Sequence, residues 1–236
     1  MVEILTNEEF EKMKASGKIL QEVFKACRDY IKPGISTHDV DKLCYDIIRR
    51  HDAIPSFLNF GQPPFPGTIC ASVNDEVVHG IPKKSRILQE GDIISVDVGA
   101  ILDGYHSDAC RTYLVGNVAP EVKDLVERTE KSFFEGLKYA QIGNRTGDIG
   151  NAVQVYCESF GYGVVRELTG HGKKLTKGMA ICIEPMITLG SREIELLGDQ
   201  WTIVTQDGSP ASHYENTILI TDEGPFMTTY DYEEGY

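Results

Sequence analysis

Two periods of apolar recurrence alternate along this chain. From Glu8 to Ile31, Ile19, Val23, Ala26, Cys27 and Tyr30 return at helical spacing, so one face of the segment is apolar. Thr6 or Asn7 can cap that helix, Glu8 and Glu9 sit in its first turn, and Lys32-Pro33-Gly34 stops it. Ser36 or Thr37 opens a second helix that runs to about Arg50. The stretch 54–67, with four prolines and two glycines among its aromatics, then breaks regular structure. A strand fits GTICASVN, followed by the histidine-bearing VVHGIP. The segment DIISVDVGAILDGYHSDACRTYLV predicts two strands joined at Asp103-Gly104, a turn dipeptide. Two helices are expected over about 120–141 and 146–160, and then three short apolar runs, YGVVRELTG, GMAICIEPMI and HYENTILIT. A helix pair followed by strands thus occurs twice. The pattern predicts one α/β or α+β domain spanning residues 1–236, with an approximate internal duplication and a polar tail.

Composition narrows the class. Hydrophobic residues make up 41% and charged residues 25% of 236 residues, as in ordinary globular chains. No apolar run is long enough for a membrane span, and the acidic start, MVEILTNEEF, does not resemble a signal peptide. The expected location is the cytoplasm. The six cysteines are dispersed without C-x-x-C spacing, which favours reduced core thiols over disulfides or a zinc cluster. With 36 acids against 23 bases and a formal charge of −13, the chain lacks the basic patch that nucleic acid would require.

The excess acid becomes informative where apolar strands carry it. Asp97 lies in IISVDVGA and Asp108 on the returning strand, so a hairpin can set the two carboxylates opposite each other. Glu184 in AICIEPM and Glu215 in HYENTILI repeat the predicament. Any one of these can be a satisfied structural carboxylate. Four such acids in three strand contexts are harder to accommodate, because a buried carboxylate costs several kcal/mol unless it is paired or metal-bound. With His171 in TGHG they form a set of oxygen ligands and one nitrogen ligand. Two divalent ions such as Mn²⁺, Fe²⁺, Co²⁺ or Zn²⁺ suit that set.

SVNDEVVHGIP, SVDVGA with GYHSDACRTYLVG, ELTGHG, IEPM and HYENT occur in the order and spacing of the pita-bread metallopeptidases. The chain most resembles their type I, bacterial-type methionine aminopeptidase branch, from about residue 3 to 222. The resemblance implies a curved antiparallel sheet with helices on its outer face and pseudo-two-fold duplication. It implies removal of the initiator methionine from nascent chains, transient contact with the ribosome, and a monomer. By the same likeness Asp97 would be a bidentate ligand, Asp108 and Glu215 would bridge the metals, and His171 and Glu184 would complete the set. Glu184 would also act as general base and acid, and His79 would lie near the substrate amine. Phe65, Cys70 and Trp201 match positions lining the methionine slot, although Asn59 and Gln62 nearby are more polar than such a slot favours. A prolidase on the same fold is a weaker reading, since those proteins generally carry a further N-terminal domain.

One place departs from the pattern. The family continues past TGHG with a Gly-rich stretch, a second histidine and a proline-containing loop, whereas here only twelve residues separate His171 from Glu184. GHG can belong to either side of that gap, and the preceding RELT favours His171 as the ligand. Loss of the second histidine predicts turnover weakened by ~10²–10³, as for the loss of one oxyanion donor. The alternative is a catalytically weakened or inactive pita-bread protein that binds peptides or proteins.

Overall fold

The computed structural model describes residues 4–168 and 172–236. Helix α1 (Asn7–Tyr30) begins at Thr6, whose side chain and Glu9 form a reciprocal capping box. Ile19, Val23 and Cys27 are buried as the spacing predicts, together with Leu20 and Phe24, whereas Tyr30 lies exposed at the helix end. Ser36 and Asp39 form the same box at the start of α2 (Thr37–Arg50). The proline-rich stretch gives only β1 (Ile54–Pro55) before β2 (Ile69–Val73) and β3 (Glu76–Val78). The hairpin follows as β4 (Ile93–Leu102) and β5 (Tyr105–Leu114), turning at Asp103 and Gly104, both with positive φ. Helices α3 (Pro120–Leu137) and α4 (Thr146–Glu158) open the second half. After them come β6 (Gly163–Val164), β7 (Ala180–Ile183), β8 (Met186–Thr188), β9 (Ile194–Leu196) and β10 (Ile203–Thr205). The last strands are β11 (Ala211–His213), β12 (Glu215–Thr221) and β13 (Gly224–Met227). A helix pair therefore precedes strands in each half, as the sequence pattern predicts.

Seven strands form one sheet in the order β1-β4-β5-β12-β13, with β2 on β4 and β7 on β12. Every pairing is antiparallel. Strand alternation divides the β4–β5 hairpin into two faces. Ile94, Val96, Val98, Ala100, Ala109 and Tyr113 face α1 and α2 and join the largest core cluster with Leu20, Val23, Phe24 and Ile48. Each such aliphatic side chain contributes about 1.5–3 kcal/mol on burial. Ser95, Asp97, Gly99, Asp108, Cys110 and Thr112 occupy the other face. Two three-stranded sheets, β3-β10-β9 and β11-β8-β6, make up the rest, with β11 lying against β4 and β5.

Arg111 belongs to the helix-facing side and is 1% exposed. Its guanidinium donates to the carbonyls of Cys110 (2.9 Å) and Glu215 (2.7 Å) and to Asn216 Oδ1 (2.8 Å). The cation is also stacked near the rings of Phe24, Tyr214 and Tyr236. The polar tail is thereby ordered: Tyr236 reaches Arg111 and Tyr113, and Glu234 pairs with Lys25 and Arg28. Among the described residues no helix is long and apolar enough to cross a membrane.

Candidate metal centre

The register explains how four acids meet. Cys70 pairs with Asp97, Asp97 with Cys110, and Cys110 with Glu215, so β2, β4, β5 and β12 set these side chains in one cross-strand row. Asp108 pairs with Gly99 rather than with Asp97. The two aspartates are therefore diagonal neighbours on one face, not directly opposite as the hairpin alone suggests. Thr217 holds that corner, its hydroxyl accepting from the Asp108 N–H (2.9 Å) and donating to the Asp108 carbonyl (2.8 Å). Glu184 follows the end of β7, whose last residue Ile183 pairs with Asn216 beside Glu215.

Asp97, Asp108 and Glu215 each offer an oxygen within 4.8 Å of the others. Glu184, His213 and Glu215 offer a second set of three ligand atoms within the same span. Glu215 belongs to both. Asp97 is 9% and Glu215 4% exposed, and the buried Oδ1 atoms of Asp97 and Asp108 have no hydrogen-bond partner among the described residues. Orphaned, crowded carboxylate oxygens are a poor structural device and a good ligand set for divalent cations.

The electrostatics say the same. Burial, then the Asp108 and Glu184 charges, raises the Asp97 carboxyl well above its ordinary range. Burial, followed by the Asp108 charge, does so for Glu215. Burial and then the Glu184 charge push Asp108 up to about 7. Glu184 is also pushed up to about 7, by desolvation of its carboxyl, although 45% of its side chain stays exposed. The thiols of Cys70 and Cys110 are raised in turn, first by burial and then by the Asp97 charge. Without a cation, this cluster holds protons that ordinary carboxylates would have released.

His79 follows β3 with φ 59°, a left-handed conformation that β-branched and bulky residues avoid and that concentrates at functional positions. Burial lowers the pKa of its imidazole, while a hydrogen bond to the Trp201 backbone works the other way. Its ring stands edge-on to Trp201 at 6.1 Å, and Trp201 stands edge-on to Phe65 at 5.2 Å. The indole N–H donates to the Pro63 carbonyl (3.0 Å), and Gly61 leaves room for the ring, since a Cβ there would lie 2.5 Å from Trp201 Cη2. Phe65, Trp201 and His79 thus form one aromatic group, while Cys70 stands in the row beside Asp97. On the other side, Glu184 lines a cavity of about 470 Å³ with Ile149, Val153, Val165, Ile183 and Met186.

Of the expected ligands, Asp97, Asp108, Glu184 and Glu215 converge, and His171 lies outside the described residues. His213 is a member of the cluster that the sequence reading passes over. The signal was within the HYENT motif: His213 and Glu215 stand two apart on extended chain and so share a face. Burial and then the neighbouring His79 push its imidazole down to about 3.

Comparison with known proteins identifies the family. The family model described as metallopeptidase family M24 matches residues 11–175. A methionine aminopeptidase of Clostridium acetobutylicum is 46% identical over 249 aligned residues, covering 97% of this chain and 99% of that protein. Methionine aminopeptidase 1 of Bacillus subtilis is 42% identical over 244 residues, covering 95% and 97%. The crystal structure of methionine aminopeptidase from Rickettsia prowazekii superposes with a TM-score of 0.93 at 37% identity, covering 97% of this chain and 100% of that one. The Clostridium alignment is longer than the 236 residues of this chain, so that relative contains residues that this chain lacks.

Proposed function

This chain belongs to metallopeptidase family M24, and from that premise we propose that it removes the initiator methionine from nascent polypeptides in the cytoplasm. The observation that carries the reading is the pair of ligand sets sharing Glu215. The fold expected from the sequence, an α+β pita-bread domain, is the one its structural relatives share.

In this reading Asp97 would hold one divalent cation and Glu184 the other, with Glu215, common to both ligand sets, and Asp108 lying between them. Two such cations acidify a water molecule and polarise the scissile carbonyl when bound. Manganese, iron, cobalt and zinc all suit the donor set. Glu184 would take the proton of the attacking water and return it to the leaving amine, as general base and then general acid. His79 would hydrogen-bond at the reacting centre, where burial, which lowers its pKa, favours the neutral ring. Phe65, Cys70 and Trp201 receive the methionine side chain, an unbranched thioether that favours aromatic edges and sulfur.

The test is release of free methionine from a Met-Ala-Ser peptide after chelation and after addition of each cation in turn. Release that depends on the cation and is absent from a Leu-Ala-Ser control supports the reading. No release with any cation would remove the enzymatic conclusion.

A further inference from the structure

His213 is anchored through its backbone. Its N–H donates to Thr112 Oγ1 (3.2 Å), and its carbonyl accepts from the same hydroxyl (2.8 Å) and from Cys110 Sγ (3.6 Å). It pairs with Met186, two residues beyond Glu184, so the β8–β11 ladder sets the distance between imidazole and carboxylate. Tyr214 next to it points the other way, onto Phe133 and Arg111, which confirms that His213 and Glu215 share the acid-bearing face. The His213 side chain is 1% exposed, yet its Nε2 has no hydrogen-bond partner among the described residues. Glu184 Oε2 stands 3.9 Å away, too far for a hydrogen bond. Two atoms that ligate one ion at ~2.1 Å each stand about 3–4.2 Å apart. That separation therefore fits two ligands of a common cation.

We propose that His213 is an imidazole ligand of the cation held by Glu184 and Glu215. The inference rests on the two-cation reading above and goes beyond it, because it places the nitrogen donor on the sheet. Asp97, Asp108, Glu184, His213 and Glu215 then make a complete four-carboxylate, one-imidazole centre from strand positions and strand ends alone. Donors on strands hold their geometry more tightly than donors on loops. A chain shortened between His171 and Glu184 would in this way keep its nitrogen ligand whatever residues 169–171 do.

The experiment uses the full chain, titrated with Mn²⁺ by calorimetry and loaded with Co²⁺ or Cu²⁺ for spectroscopy, with histidines labelled by ¹⁵N. Pulsed EPR of the wild type should show imidazole nitrogen coupling, and that coupling should persist in His171→Ala. His213→Gln should lose or diminish it, shift the Co²⁺ visible bands, and weaken one cation by about ten- to a hundred-fold, the range that even supporting residues reach. Coupling that vanishes in His171→Ala overturns the proposal, and that arm does not depend on whether His213→Gln folds. So does a His213→Gln protein that binds both cations like the wild type. A wild type that binds no cation overturns both this assignment and the enzymatic reading. Cation binding through imidazole without methionine release removes only the latter.

Discussion

If four carboxylates share one pocket, the chelated protein should lose stability as pH rises through neutrality, opposite to the behaviour of most proteins. A group whose folded pKa is raised stabilises the fold below its unfolded value, and that stabilisation is gone above the folded value. For Asp108, raised from 3.8 to about 7, the complete effect is about 4 kcal/mol at 1.36 kcal/mol per unit. His213 works in the other direction, because a depressed imidazole loses stability as pH falls below the unfolded value near 6.5. The informative window is therefore about pH 6.5 to 8, above the histidines and below the thiols. There Asp108 alone has about 1 kcal/mol left to lose. Asp97 and Glu215 each add at most 1.36 kcal/mol per pH unit while they keep their protons. Glu184 is half-exposed and is discounted. We expect a loss of about 1–3 kcal/mol, or roughly 2–10 °C in Tm, for chelated protein between these pH values. Thermal melts read by circular dichroism, with and without saturating Mn²⁺, measure it. The cation should flatten or reverse the slope because it displaces the protons. Chelated protein that is equally stable or more stable at pH 8 would show that the carboxylates are not crowded as described.

Other substitutions probe separate parts of the argument. Glu184→Gln should lower methionine release by about 10²–10⁴ with the fold intact, measured by peptide turnover and circular dichroism. Arg111→Met leaves the Cys110 and Glu215 carbonyls without their donor and should cost about 3–5 kcal/mol in denaturant melts. Arg111→Lys should recover only part of that, lacking the planar fork. Gly61→Ala places a Cβ against the indole at a residue with φ 76°, so it should raise KM for Met-peptides several-fold and lower stability by about 1–3 kcal/mol.

Much of the site was legible because isolated acids in apolar strands have few physical excuses. Asp97 stands out by its neighbours Val96 and Val98 and Glu215 by the apolar run that follows it, and the hairpin about Asp103-Gly104 follows from turn chemistry. Cap chemistry narrows two helix starts to Thr6 or Asn7 and Ser36 or Thr37, and the structure caps them at Thr6 and Ser36. Register was not legible: the pairing of Asp97 with Cys110, and so the diagonal position of Asp108, depends on where the turn closes. The short strands β9, β10, β11 and β13 carry three or four residues each, too few for a period to emerge. His213 was missed because a lone histidine next to a tyrosine has an ordinary explanation until β11 is seen against β5. Arg111 was missed because a buried cation becomes recognisable only once the carbonyls and rings around it have been assembled from distant parts of the chain.

The row that alternates Cys70, Asp97, Cys110 and Glu215 places sulfur next to oxygen at each step. While both thiols stay protonated, hard cations meet only carboxylates, and the sulfurs are spectators. A soft ion changes that balance, because cadmium, mercury or cuprous copper can expel a thiol proton and bind where oxygen donors alone would hold it weakly. The arrangement that accommodates the working metals therefore leaves the centre open to poisoning by thiophilic ones.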